Sequence, residues 1–272
     1  MPDIEMNPED ASLLSWIHSN KFVTTKLFHK KFRAGNSFQT ACNDLEILSE
    51  NKKLLKRVTA RNNADSFYFL TRRAVHQLKD LGLILTPPKI RAPHQNIFEK
   101  DHDKKVIEIR IGLEKDPNLK NLIWLSDYEV RIGYKMDWKK ALIEGRGKEL
   151  KNVRLNYEGA RKADGHFLTS IKNKEWEFIL EYERSPYSTK VVGDVVSRIL
   201  KYHSSPVKLI VAITAQRSEF LREKIGNLIK DPQDRASWWF SDFKTVTSLP
   251  FLETPWVDLD DFHPALIKPK EA

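Results

Sequence analysis

The segment Leu85 to Asn96, LTPPKIRAPHQN, holds Pro87, Pro88 and Pro93 and little apolar periodicity. Proline fixes its own backbone angle and removes an amide donor, so neither a helix nor a central strand runs through such a stretch. The flanking regions must therefore fold separately. We expect a first unit over 1–86, a linker over 87–96 and a second unit over 97–272. A chain of 272 residues is long enough for two domains of ordinary size, and it shows no solenoid-length repeat or low-complexity tract.

In the first unit, Leu13, Leu14 and Ile17 form a small amphipathic helix. Thr24 or Thr25 then caps a second helix carrying Leu27, Phe28 and Phe32. Ala34-Gly35-Asn36 supplies a turn, and Ser37 caps a third helix in which Phe38, Ala41, Cys42, Leu45 and Leu48 recur on the apolar side. Two strand-like pieces follow, Leu54 to Thr59 and Ser66 to Leu70, joined by the polar turn ARNNAD. This is the order of a winged helix-turn-helix. A helix of this width fits the major groove of duplex DNA, where short polar side chains near its N-terminus reach base edges. Ser37, Gln39, Thr40 and Asn43 are the candidate readers. Lys26, Lys30, Lys31, Lys52, Lys53, Lys56, Arg57 and Arg61 are the candidate phosphate contacts, the last at the wing tip.

The charge balance agrees with that reading. Lys and Arg outnumber Asp and Glu by 46 to 37, and the excess is denser N-terminal to Lys89 than after it. The same arrangement of helices and a hairpin also builds protein-interaction modules, with lysines solvating the outside. Cys42 is the only cysteine, which excludes an internal disulfide or a cysteine zinc module and suits a reducing, cytoplasmic setting. No apolar run reaches bilayer length, and the acidic, polar start MPDIEMNPEDAS is unlike a secretory signal, so no membrane partner is expected.

The second unit opens with helical spacing over Asn96 to Leu113. LIWLS, Leu122 to Ser126, is left open between strand and other structure. Gly165 to Thr169 and Trp176 to Glu183 read as an antiparallel hairpin around IKNKE. Alternation then sends Trp176, Phe178, Leu180 and Tyr182 one way, and Glu177, Ile179, Glu181 and Glu183 the other. Asp164 enters the neighbouring strand, and pairing brings it beside Glu181. Ser185-Pro186 opens a helix with Val191, Val192, Val195, Val196, Ile199 and Leu200 on one side and Lys190 on the other. Val207 to Ile213 suits a strand covered on both faces, Phe220 to Ile229 a helix, and Phe243 to Val246 a last short strand.

The expected class is α+β, a mixed sheet sandwiched by helices behind a winged helix. The order of elements, with Asp on one strand and Glu-x-Glu on the next, resembles the PD-(D/E)xK nuclease fold. That resemblance implies Asp164, Glu181 and Glu183 as ligands of Mg²⁺, which would position a water and neutralise charge on an attacked phosphate. Lysine usually fills the position held here by Glu183, and Lys190 on the following helix is the candidate replacement cation. Alternating strands also place carboxylates on solvated faces for no catalytic reason, the plainer reading of the same residues.

Four blocks in order resemble the replication-relaxation family of plasmids and other mobile elements. The first runs from LLSWIHSNKFVTTKLF through SFQTACNDLEIL to SFYFLTRRAVHQL. The second is VIEIRIGL with WLSDYEVR, including Trp124, Ser126, Glu129 and Arg131. RKADGHF follows, with Arg161, Asp164 and Phe167 in matching places, and then FILEYERSPYSTKVVGDVVSRILKY. Lys162 stands where the family has proline, Glu183 where it has a second aspartate, and Ser185-Pro186 where it has Gly-Thr. The resemblance implies a role in replication, relaxation or transfer, with double-stranded DNA as partner and mobile-element proteins or a second copy of the chain, as a homodimer, beside it.

Other patterns are weaker. The eight histidines form no H-x-x-x-H or H-E-x-x-H pair, and no Walker loop or G-x-G-x-x-G occurs. His166 lies next to the proposed acids but reads as structural. Trp238-Trp239-Phe240 reads as a buried anchor, and Asp258 to His263 as a solvated segment. The leading expectation is a DNA-binding protein of a mobile element. Its alternatives are a Mg²⁺-dependent endonuclease and a non-catalytic adaptor or transcriptional regulator.

Overall fold

A computed structural model describes residues 6–59, 66–84, 97–126, 163–184, 193 and 207–260. The chain divides into two compact units, Met1–Ile107 and Glu108–Ala272. The expected linker, 87–96, lies outside the described residues, and the division falls inside a later helix, Ile97–Lys115. The early part of that helix belongs to the first unit, where Asp103 lies 3.8 Å from Lys21 Nζ and Lys104 Nζ stands 5.9 Å over Phe67.

The first unit starts with α1 (Pro8–Ser19), whose N-terminus carries Pro8, two acids in the first turn, and an Asn7 side chain that accepts from Asp10 N at 2.7 Å. The short strand β1 (Val23–Thr24) leads into α2 (Thr25–Phe32), and Thr24 rather than Thr25 caps it, accepting from Leu27 N at 3.3 Å. Ser37 caps α3 (Phe38–Glu46), which continues through a π-helical turn, Ile47–Asn51. Strands β2 (Leu55–Thr59) and β3 (Ser66–Leu70) pair antiparallel, and β1 adds on the far side of β3, giving the order β1-β3-β2. Helix α4 (Arg72–Asp80) follows, capped by Thr71. The core gathers Leu14, Ile17, Phe22, Phe28, Leu45, Leu54, Ala74 and Leu78. Two residues depart from the expected apolar stripe of α3: Cys42 is only half-buried, and Phe38 is 47% exposed.

Helix α5 (Ile97–Lys115), which crosses that division, is followed in the second unit by β4 (Lys120–Ser126), so LIWLS is strand. Asn121, with φ of 53°, marks a register shift in β4. Strands β5 (Gly165–Ile171) and β6 (Lys174–Glu183) form the expected hairpin, closed by Lys172 and Asn173, both with positive φ as a tight two-residue turn requires. Strand β7 (Val207–Ala212) is buried throughout, as its β-branched run foretold. Helix α6 (Ala215–Leu228) begins before the expected Phe220, at a cap made by Thr214. A short α7 (Pro232–Ala236), strand β8 (Trp238–Asp242) and α8 (Phe243–Ser248) complete the described order. The sheet runs β4-β5-β6-β7-β8, antiparallel from β4 to β6 and parallel from β6 to β8.

The expected last strand over Phe243 to Val246 is incorrect: that segment is α8, and the strand lies just before it. Asp242 ends the strand and starts the helix, accepting from Thr245 N at 3.1 Å and from Thr245 Oγ1 at 2.6 Å. Trp238, Trp239 and Phe240 are buried on both faces of β8, where a base could not stack on them. The segment from Asp258 is likewise not simply solvated, because Asp258 and Leu259 are buried and Asp258 Oδ1 accepts from Asp260 N. The described part is α+β throughout, and among the described residues no helix is long and apolar enough to cross a membrane.

Candidate functional site

In the first unit, a short turn after α2 brings the chain back into α3, and Arg33 within it fixes the geometry. Its Nε donates to Asp44 of α3 at 2.6 Å, and its Nη2 lies 3.2 Å from Glu9 of α1. The hydrogen bond to Asp44 raises the guanidinium pKa above its usual value, with burial opposing. Sequence reading missed this residue. Its signal was one arginine among lysines, placed where three helices converge, since a planar fork can serve two carboxylates at once.

The four candidate readers divide in two. The Ser37 hydroxyl accepts from Thr40 N at 3.2 Å and lies 3.1 Å from Thr40 Oγ1, so this pair builds the start of the helix. Gln39 and Asn43 are exposed one turn apart, and Gln39 Nε2 donates to Asn43 Oδ1 at 2.8 Å. Further along the same surface come Glu46 and Glu50, both exposed. The outward side of α3 is thus neutral and amide-rich at its beginning and acidic at its end.

The candidate phosphate contacts also divide. Lys26 and Lys30 on α2 and Lys53, Lys56 and Arg57 on or before β2 are surface residues, with Arg57 Nε donating to Ser66 Oγ across the hairpin at 3.1 Å. Lys31 is half-buried. Lys52 is committed elsewhere, its Nζ lying 2.5 Å from Asp10 Oδ2 of α1. Arg61 and the rest of the wing tip lie outside the described residues.

In the second unit, the pairing of Gly165 with Leu180 carries Asp164 to the level of Glu181. Asp164 N donates to Leu180 O at 3.1 Å, and Asp164 Oδ2 accepts from Tyr182 N at 2.8 Å. Glu181 and Glu183 are 3% and 7% exposed. They stand in register with Ile210 and Ala212, on the face where those two residues pack with Leu221 and Ile225 of α6. The expected sharing of a face by the two glutamates therefore holds. Among the described residues no three His, Cys, Asp or Glu side chains gather so as to hold a metal. Lys190 and the helix expected around it lie outside the described residues, apart from helical Gly193.

His166 Nε2 lies 2.7 Å from Glu177 Oε1, on the acid-bearing side of the hairpin. Lys208, in the middle of the apolar strand β7, is 1% exposed, and its Nζ donates to Ser237 Oγ at 2.9 Å. Burial lowers its pKa, while the charge of Asp234 acts the other way. A cavity of about 230 Å³ lies at the end of β8, lined by Ser218, Glu219, Arg222, Ser241 and Asp242 among others. Asp242 is already engaged there as the cap of α8. Comparison of the chain with protein-family models, curated proteins and solved structures found no match.

Proposed function

We propose that the chain is a sequence-selective, double-stranded DNA-binding protein of a mobile element, serving replication, relaxation or transfer. In this reading the first unit is a winged helix-turn-helix and the second a PD-(D/E)xK nuclease-like domain that holds DNA. The observation that carries it is the surface of α3: Gln39 and Asn43 stand exposed near its start, and in the chain α3 is preceded by exposed lysines of α2 and followed by exposed cations of β2. Glutamine and asparagine suit the paired donor and acceptor of adenine in the major groove, and flanking cations suit the phosphates. The strand order β4-β5-β6-β7-β8, with its change from antiparallel to parallel at β6, supports the nuclease-like reading of the second unit. The four sequence blocks support the link to mobile elements.

The test is fluorescence anisotropy on duplexes enriched from a random pool by the full chain. Binding should weaken steeply with salt and discriminate the enriched duplex from a scrambled one. Absence of duplex binding, or binding indifferent to salt, would contradict the reading.

A second reading, a Mg²⁺-dependent endonuclease, is favoured by Asp164 standing level with Glu181 and by two buried glutamates near the carboxyl ends of parallel strands, where α/β sheets place their sites. Incubation with supercoiled plasmid and Mg²⁺ decides it. Nicking that Glu181→Ala abolishes would support it, and intact plasmid across divalent metals would sink it.

A further inference from the structure

Phe38 opens α3 with nearly half its surface in water, although its spacing with Ala41 and Leu45 is that of a core residue. Its ring is not loose. It leans on the His29 imidazole of α2, with 5.6 Å between ring centroids and 59° between planes. His29 Nε2 in turn lies 2.9 Å from the carbonyl oxygen of Asn36 in the intervening turn. A bulky apolar group is thereby held in one attitude beside Gln39.

The charge around α3 sets the direction of approach. Exposed Lys26 and Lys30 lie on α2, whereas exposed Glu46 and Glu50 occupy the later part of α3 and its continuation. The acids disfavour a polyanion along the late part of α3 itself, while exposed Lys53, Lys56 and Arg57 follow it in the chain, so the first turn of α3 is the part left to face bases. A duplex therefore meets Phe38 and Gln39 first. A phenyl ring offers no hydrogen bond, and the one apolar group displayed in the major groove is the C5-methyl of thymine.

We propose that Phe38 is a specificity-determining residue that reads a thymine methyl next to the base pair facing Gln39 and Asn43. The inference rests on the DNA-binding reading above and adds to it a base and an atom. The phenyl ring would cover the methyl and shed its water, while the Gln39 and Asn43 amides take the polar edge.

Duplexes enriched by the full chain, with each thymine replaced in turn by deoxyuracil, lose only the methyl. One such replacement should weaken wild-type binding about fourfold, the worth of burying one such group. Phe38→Ala should bind the thymine and uracil duplexes alike, and Phe38→Leu should recover part of the difference. Because nearly half of the side chain is exposed, both variants should stay folded, as circular dichroism checks. Indifference of the wild type to every replacement, a preferred site without thymine, or full methyl sensitivity in Phe38→Ala would each overturn the assignment. Failure to enrich any duplex would overturn the DNA-binding reading itself and this assignment with it. Enrichment without methyl sensitivity would overturn this assignment alone.

Discussion

Asp164 is bound to the neighbouring strand by both its backbone and its side chain: its Oδ2 accepts the Tyr182 amide at 2.8 Å, and its own amide donates to Leu180 O. This carboxylate continues the ladder ahead of the first residue of β5 and keeps its own position level with Glu181.

Asp164→Ala should cost the second unit about 1–2 kcal/mol, since it leaves the Tyr182 amide without its acceptor. Asp164→Asn retains an acceptor oxygen and should cost less. Urea unfolding followed by tryptophan fluorescence measures both. Equal stability of all three proteins would show that the bond contributes nothing.

Gly165 lies under the indole of Trp124, and a Cβ added there would sit 2.5 Å from Trp124 Cη2. Gly165→Ala should therefore destabilise the unit by roughly 1–3 kcal/mol through overpacking between β4 and β5. Pairing it with Trp124→Leu should cost less than the sum of the two single changes, because the clash is removed with the ring. Additive losses in thermal unfolding would contradict this placement.

The two units differ in how much the residues disclose. Caps and short periodic helices announce themselves locally, so Ser37 and the start of α3 were readable. The exposure of Phe38 was not, because helical spacing assigns a face without saying whether a neighbour covers its first turn. Lys52 looked like any other surface lysine until folding set Asp10 beside it. In the second unit, the hairpin of β5 and β6 followed from alternation and turn residues. The exchange of strand and helix around Asp242 was missed because one aspartate ends β8 and caps α8, so neither element has a separate punctuation mark. Whether three acids converge depends on side-chain direction at a strand end, which spacing does not specify.

Lys56 and Arg57 are exposed, whereas Lys52 is held by Asp10. Under the DNA-binding reading, removing either of the first two should lower the slope of log affinity against log salt by about 1. Lys52→Ala should leave that slope unchanged and lower the melting temperature instead. A slope that responds to Lys52 and ignores Lys56 would reverse the assignment.

Lys208 gives a pH signature. Its pKa in the folded chain is lowered by burial below the ordinary value of 10.5. Above that value the group is neutral whether folded or unfolded and imposes no penalty. As pH falls through the window between 10.5 and the lowered folded pKa, the unfolded chain takes up the proton first and stability declines; below the folded pKa the penalty is constant. Lys208→Met should therefore stabilise the chain near neutral pH by more than it does near 10.5. Ser237 Oγ keeps its bond to Asp234 O at 2.7 Å after the change, so no buried hydroxyl is orphaned. Chemical unfolding of both proteins across that range checks the difference. A gain independent of pH would rule out the titration.

The central claim is that α3 reads duplex DNA through Gln39 and Asn43, and it is tested most directly by the affinity ratio between an enriched duplex and its scrambled counterpart. The Gln39→Ala, Asn43→Ala double variant should lose most of that ratio, tenfold or more for one lost bidentate contact, while keeping the salt-dependent binding shared by both duplexes. An unchanged ratio in the double variant, with the fold intact by circular dichroism, would contradict the account.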